Sequence, residues 1–368
     1  MMDLSVKKQS DVEISFPGKI AVITDHVSVS EDDYYSAGGL IAKYGEEKIN
    51  HAIWPYHFMA KEEQMKAIAV ELAADKDVKA LIINHAVPGT NAAVDKFKET
   101  RDDVFIVYCA AHEAADEVVT RANLTLAVND AGMGSAMVKQ ARKQGAKVFV
   151  HYSFPRHMAM PRIKNRRTMI QQECIRGDVQ FIDAIVPDPA GEAGFAGAEQ
   201  FFPGDVKKIV SRYGDSTAFF CTNCSLQVSL IKAVVDNHAM YPQPCCPSPY
   251  HGFPSALGIE ARGGQADLNF VIGEACRIAA EKSMTDRLST WPVSAGMMFA
   301  NAGAEYAIKW INGEVPKIGI DSYILEEVMN NYIEDVIGEA SGVYISSFSD
   351  NGRTYDNFKL VLMSYLDF

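Results

Sequence analysis

The stretch TAFFCTNCSLQVSLIKAVV, Thr217 to Val235, decides how the rest of the chain is read. It opens on TAFFC, a short run without apolar–polar alternation, the pattern of a strand covered on both faces. After a polar break, Leu226, Leu230, Ile231, Val234 and Val235 recur at spacings of three and four and share one helical stripe. A buried strand followed by a helix that must pack back onto it is the unit of a parallel sheet. The same rhythm runs upstream, in KIAVIT from Lys19, ALIIN from Ala80, VFIVYC from Val104, LTLAV from Leu124 and KVFVHY from Lys147. Helical stripes fall between or after them, at Met65, Ile68, Ala69 and Leu72, and at Met298, Phe299, Ala302, Tyr306 and Trp310. The expected class is α/β, with two doubly wound parallel-sheet halves, the second starting near Asn129. The last fifty residues break the rhythm: a helix around 325–336 precedes VYISSFS and KLVLMSYL, which read as two late strands that cap or extend one sheet.

Composition removes several classes of function. The 368 residues carry 35 Lys+Arg against 47 Asp+Glu, a net charge of −12. Nucleic-acid binding needs a basic face, so no direct nucleic-acid partner is expected. No apolar run of eighteen residues occurs, which removes membrane insertion through a spanning helix. The start MMDLSVKKQS has no apolar core behind its lysines, and the seven cysteines are an odd number. Both point to a reducing cytoplasm, unless a leader has been removed.

In open parallel sheets ligands sit beyond the carboxyl ends of the strands. The residues there are Asp25 and His26, Asn84 and His85, Cys109 and His112, Asn129 and Asp130, Tyr152 and Ser153, and Cys221, Thr222 and Asn223. Nucleotide motifs are absent or broken. GMGSAM, from Gly132, lacks the third glycine of a dinucleotide fingerprint, there is no Walker A sequence, and HEAAD lacks the second histidine of a zinc-protease helix. No cofactor is expected. Basic residues concentrate in RHMAMPRIKNRR, Arg156 to Arg167, where a guanidinium on the cleft side can clamp a carboxylate or vicinal oxygens bidentately.

The cysteines carry an unusual spacing. Cys221 and Cys224 precede adjacent Cys245 and Cys246, with His251 close behind. A four-cysteine zinc site ordinarily uses two C-x2-C pairs, and adjacent cysteines seldom serve one metal, so the expectation is reduced, uncoordinated thiols on the cleft wall, with Cys245 or Cys246 beside Cys221. An enzymatic alternative uses Cys109 and Cys221, each ending a strand, as opposed acid and base across a cleft, as in two-cysteine racemases. The irregular stretch YPQPCCPSPYHGFPSALGI and Trp291 place aromatic rings for stacking on a ligand or packing in the core.

In this order the segments resemble type I periplasmic binding proteins and the sensor domains of lactose-repressor-like regulators, most closely an uncharacterised bacterial family within that superfamily. The resemblance spans about residues 19–318. NDAGMGSAM resembles the entry to the second lobe. GAKVFVHYSFPRHMAMPRIKNRR resembles a strand and its ligand-binding arginine, placing Arg162 in that role with Arg156 as the alternative. TAFFCTNCSLQVSLIKAV resembles the Ala-Phe-x-x-Asn-Asp unit, matching Asn223 to the ligand-touching Asn and Cys224 to the Asp. PSPYHGFPSAL replaces Val-Gly-Phe-Asp, with His251 in place of the missing Asp. WPVSAGMMFANAGAEYAIKWINGEVP resembles the return to the first lobe.

The resemblance implies two lobes joined by a multi-strand hinge: 1–128 with 294–318, and 129–293 with the 319–368 tail. Crossings are expected at 127–130, 290–293 and 318–321. It implies non-catalytic binding of a small polar ligand, by a solute-binding or sensor protein, against Arg162, Asn223 and His251; with the strand-end residues and the aromatic, the expected contacts are Asp25, His26, Asn84, His85, Cys109, Asp130, Arg162, Cys221, Asn223, His251 and Trp291. Only some eighteen residues precede the first strand, so no helix-turn-helix is expected. The late apolar segments make a homodimer surface the remaining expectation.

Overall fold

A computed structural model describes residues 15–260, 267–338 and 341–368; the N-terminal stretch read for a leader lies outside them. The strands are β1 (Lys19–Thr24), β2 (Ile49–Ile53), β3 (Val78–Asn84), β4 (Phe105–Cys109), β5 (Leu124–Val128), β6 (Val148–Ser153), β7 (Gln180–Ile185), β8 (Thr217–Cys221), β9 (Ser289–Thr290), β10 (Val343–Asp350), β11 (Arg353–Met363) and β12 (Leu366–Asp367). One sheet has the order β10-β11-β5-β4-β3-β1-β2. All its pairings are parallel except β10 with β11. A second, parallel sheet has the order β7-β6-β8. Bridges Ala218↔Met240 and Tyr241↔Leu288 lead from it toward the small β9–β12 pair.

Alternate residues of each strand enter opposite cores, which is why the runs are apolar throughout. Ile20, Val22, Phe105, Val107 and Cys109 face a core built with helices Ala295–Asn312 and Ser322–Ile337. Their neighbours Ala21, Ile23, Ile106 and Tyr108 face helices Glu62–Ala74 and Thr90–Lys98. The second sheet divides the same way: Val150, Tyr152, Phe219 and Cys221 on one side, Phe149, Ala218 and Phe220 on the other. Helix Ala295–Asn312 lies close on the first sheet. A Cβ at Gly303 would stand 3.1 Å from Val107 Cγ1, so glycine sets this approach.

The tail corrects two expectations. β11 adds in parallel to β5, pairing Leu360 with Ala127 and Val361 with Val128, and β10 folds back on it. Most of the 319–368 segment therefore extends the first sheet; only β12 joins the second-lobe side, through β9. The 318–321 link is no crossing, because the helices on either side of it both pack on the first core. The third crossing is instead 364–365, between β11 and β12. It lies beside the other two, at 128–130 and 291–294: Asn129 N donates to the Val361 carbonyl (3.0 Å), and Leu366 pairs with Thr290. The late apolar residues expected to make a dimer surface are largely consumed here, with Val343, Val361 and Met363 buried in the first core.

Candidate functional site

Each sheet has a switch point, where the strand order reverses and leaves a crevice beyond the strand ends. In the first lobe it falls between β1 and β3, in the second between β6 and β8. Both are closed by a hydrogen bond between residues that follow or end those strands. At the first, His85 Nδ1 meets Asp25 Oδ2 at 2.5 Å; at the second, the Ser153 and Thr222 hydroxyls lie 2.9 Å apart.

The first crevice is charged. His85 Nε2 stands 3.0 Å from His112 Nε2, extending Asp25 into a chain of three groups. Ligand atoms of Asp25, Asp33 and His85 lie within 4.8 Å of one another. Asn84 Nδ2 donates to Asp33 Oδ1 (3.3 Å) and to Ser36 Oγ (3.0 Å). Asp33 comes from helix Glu31–Tyr44, whose Ser30 cap accepts from the Asp33 N–H. His85 has φ +82°, a left-handed conformation that costs a non-glycine residue roughly 1–3 kcal/mol and clusters at functional sites. The bonds Ala86 N to Cys109 O (2.8 Å) and His112 N to Ala86 O (3.0 Å) hold it there.

Titration follows from these contacts. Burial works against charge on His85, but the bond and charge of Asp25 and the charge of Asp33 outweigh it, and its pKa is raised. Burial, then the His85 charge, lowers that of His112. Burial pushes Asp32 up to about 6 against its bond to Ser294, and raises Asp33.

The second crevice is less charged. Thr222 Oγ1 also lies 3.0 Å from His157 Nδ1. The Asp130 carboxylate is shared between Arg162 and Arg166, each at 3.3 Å. Arg162 keeps 68% of its side chain exposed, whereas Arg166 is buried. The walls face each other: Arg162 contributes to lowering His112 across the cleft, and Cys246 to raising Asp32 and Asp33. Beside Asp25, a cavity of about 490 Å³ is lined by His26, Trp54, Tyr56, His57 and Met59 among others.

The structure thus brings Asp25, Asn84 and His85 together in one wall and places Asp130 and Arg162 in the other. His26 bonds Ser28 (2.8 Å) at the cavity edge. Asn223 spends its Oδ1 on the backbone and hydroxyl of Ser225 (3.0 and 2.6 Å), capping the turn after β8. Arg156, the alternative clamp, is held bidentately by Asp188 (2.9 and 2.7 Å). Trp291 is wholly buried in the first core and offers no stacking face. Cys109 and Cys221 are wholly buried in separate lobe cores, and burial raises Cys109 well above the usual thiol range and Cys221 to about 12. They oppose nothing across a cleft, so the two-cysteine enzyme is excluded. Cys245 and Cys246 gather on Cys224 rather than on Cys221, with His251 beside them.

Asp32 and Asp33 escaped the sequence reading because acids in a first helical turn read as compensation of the helix dipole. His112, Ser153 and Thr222 stood among the strand-end residues but carried no motif. Among the described residues, no helix is long and apolar enough to cross a membrane.

The chain belongs to the family described as "Protein of unknown function (DUF3798)", whose model matches residues 18–289. It is similar to two uncharacterized proteins of Treponema pallidum (strain Nichols). One is 32% identical over 164 residues, covering 45% of this chain and 76% of that protein. The other is 28% identical over 178 residues, covering 47% and 80%. Among solved structures, a Clostridium difficile 630 protein described provisionally as a transcriptional regulator superposes with a TM-score of 0.86 at 20% identity, over 96% of this chain and 100% of that one. A periplasmic ribose ABC transporter protein from Conexibacter woesei gives 0.50 at 11% identity, over 86% and 96%. The fold is that of two-lobed, type I periplasmic-binding-protein-like molecules.

Proposed function

We propose that this member of the family is a solute-binding or sensor protein that takes a small polar metabolite, bearing hydroxyl groups and one anionic group, between the two crevices. The observation that carries the reading is the juxtaposition of two switch points across one three-crossing hinge, each holding polar groups that no core requires. Asp33, Asp25 and His85 are suited to accept from and donate to ligand hydroxyls. Arg162, half-engaged with Asp130 and otherwise exposed, suits the anionic oxygens. Tyr56, 50% exposed on the neighbouring cavity, offers a ring face. Neighbours of this fold include a sugar ABC transporter protein from Actinomyces odontolyticus and the ribose transporter protein, which agrees with a hydroxylated ligand.

A thermal-shift screen of sugars, polyols, nucleosides, amino acids and organic acids tests the reading. A ligand at 100 times its dissociation constant stabilises by about 2.7 kcal/mol, an easily measured rise in Tm. The expected result is a response from one chemical class, lost in both His85→Ala and Arg162→Ala. No response from any class contradicts the proposal.

A further inference from the structure

We propose that Cys224, Cys245, Cys246 and His251 form a zinc site of the three-cysteine, one-histidine kind at the second lobe's wall of the cleft. This goes beyond the ligand reading and does not depend on it. The sulfurs of Cys224 and Cys245 lie 2.9 Å apart, those of Cys224 and Cys246 3.5 Å, those of Cys245 and Cys246 3.9 Å, and Cys245 Sγ is 3.8 Å from His251 Nε2. Zinc bound at about 2.3 Å to sulfur and about 2.0 Å to nitrogen spans tetrahedral edges of about 3.5–3.8 Å. Ligand atoms of Cys224, Cys245 and His251 lie within 4.8 Å of one another, and Cys246, near both sulfurs, must turn toward His251 to complete the set. Of the four separations above, three are already near the edge length. The fourth, between Cys224 and Cys245, needs to open by less than 1 Å, about the freedom of one side-chain torsion.

The surroundings support the same reading. Adjacent cysteines rarely share a metal because a regular strand or helix sends consecutive side chains in different directions. Here Pro244 and Pro247 flank the pair in irregular backbone, and both sulfurs reach the same partner. The stiff segment reduces the entropy lost on closing the site. His251 turns its Nε2 toward Cys245, the nitrogen that would meet the metal. Three thiolates and a neutral imidazole around a divalent ion leave one negative charge. Such a site ties the loop after β8 to the proline-rich segment 241–252 and fixes the wall that faces Asp32 and Asp33. All four ligands come from the protein, so its role is structural rather than catalytic.

The test uses the full chain, expressed with zinc and purified under argon without chelators. The expected result is one zinc per chain by elemental mass spectrometry. Cobalt exchange should give the intense visible bands of tetrahedral thiolate coordination. Cys245→Ser and His251→Ala should each weaken retention by more than about 100-fold, exceeding the effect of losing an outer contact. Cys276→Ser, outside the cluster, should leave the stoichiometry unchanged. Chelation of the wild-type protein should lower Tm, a readout separate from the variants' own folding. Reduced protein that retains no zinc overturns the proposal. So does metal retained equally by both ligand variants, or a Cys224–Cys245 disulfide, seen as two fewer free thiols in the denatured chain.

Discussion

The two crevices occupy equivalent places in two similarly wound sheets, yet their chemistry differs. Beyond β1 and β3 stands a carboxylate–imidazole chain on a histidine with left-handed backbone. Beyond β6 and β8 stand two hydroxyls, with an arginine-bound carboxylate and a thiol cluster nearby. Parallel winding dictates where polar groups gather but not which ones. The first wall suits neutral, hydrogen-bonding parts of a ligand and responds to pH, while the second supplies the exposed guanidinium.

The comparison breaks most visibly if the scaffold beneath each crevice is not as described. Trp291→Ala should cost about 3–5 kcal/mol, because it empties a fully buried site in the first core. Denaturant melts check this; an unchanged midpoint would return Trp291 to the cleft. Phe368, in contact with Phe253 at 4.8 Å between centroids, makes the equivalent test in the second core. Phe368→Ala should cost about 3–4 kcal/mol. Hydrogen exchange should accelerate in β6 and β8 before β1 and β3. Equal acceleration in both would mean that the cores do not open separately.

The pH response sharpens the contrast. The folded-state pKa of His85 is raised, so its contribution to stability is complete below the unfolded value near 6.5 and is lost as pH rises through the folded value. Asp32 acts in the same direction: its ionisation is opposed in the folded state, so stability falls as pH climbs from about 4 to about 6. The partly buried His157, in the second crevice, has a lowered pKa, and acid destabilises through it. His85→Asn should flatten the stability profile above pH 6.5. NMR titration should show the His85–His112 pair losing protons in two separated steps. A single step near 6.5 would remove the coupled chain.

Iodoacetamide should leave Cys109 and Cys221 unlabelled in the native chain at neutral pH, whereas a catalytic thiol there would react quickly. The smallest effect is expected at Arg156→Ala. Its ion pair with Asp188 is on the surface, so ligand response should be that of the wild type, in contrast to Arg162→Ala.

The sequence made the central strands legible because their burial on both faces leaves no polar positions. The edge strands β2 and β7 escaped: Ile49–Ile53 and Gln180–Ile185 mix half-buried and exposed residues and so lose the continuous apolar run. VYISSFS and KLVLMSYL read as strands, but the pairing of the second with β5 joins residues more than two hundred positions apart and leaves no local sign. Strand ends pointed to Asp25, His85 and Thr222, and the basic patch with the family resemblance to Arg162. They could not separate Cys221, which faces inward, from Cys224, which begins the next turn. The cysteine spacing looked unlike a metal site because spacing alone does not show that a proline-flanked loop brings both adjacent sulfurs to one place.

The central claim is that both walls hold one ligand. Native mass spectrometry of the full chain, incubated with pooled sugars, polyols, nucleosides, amino acids and organic acids, tests it most directly. The account predicts one adduct of metabolite mass per chain, lost alike in His85→Ala on the first wall and Arg162→Ala on the second. No adduct from any pool, or an adduct that survives both substitutions, would contradict it.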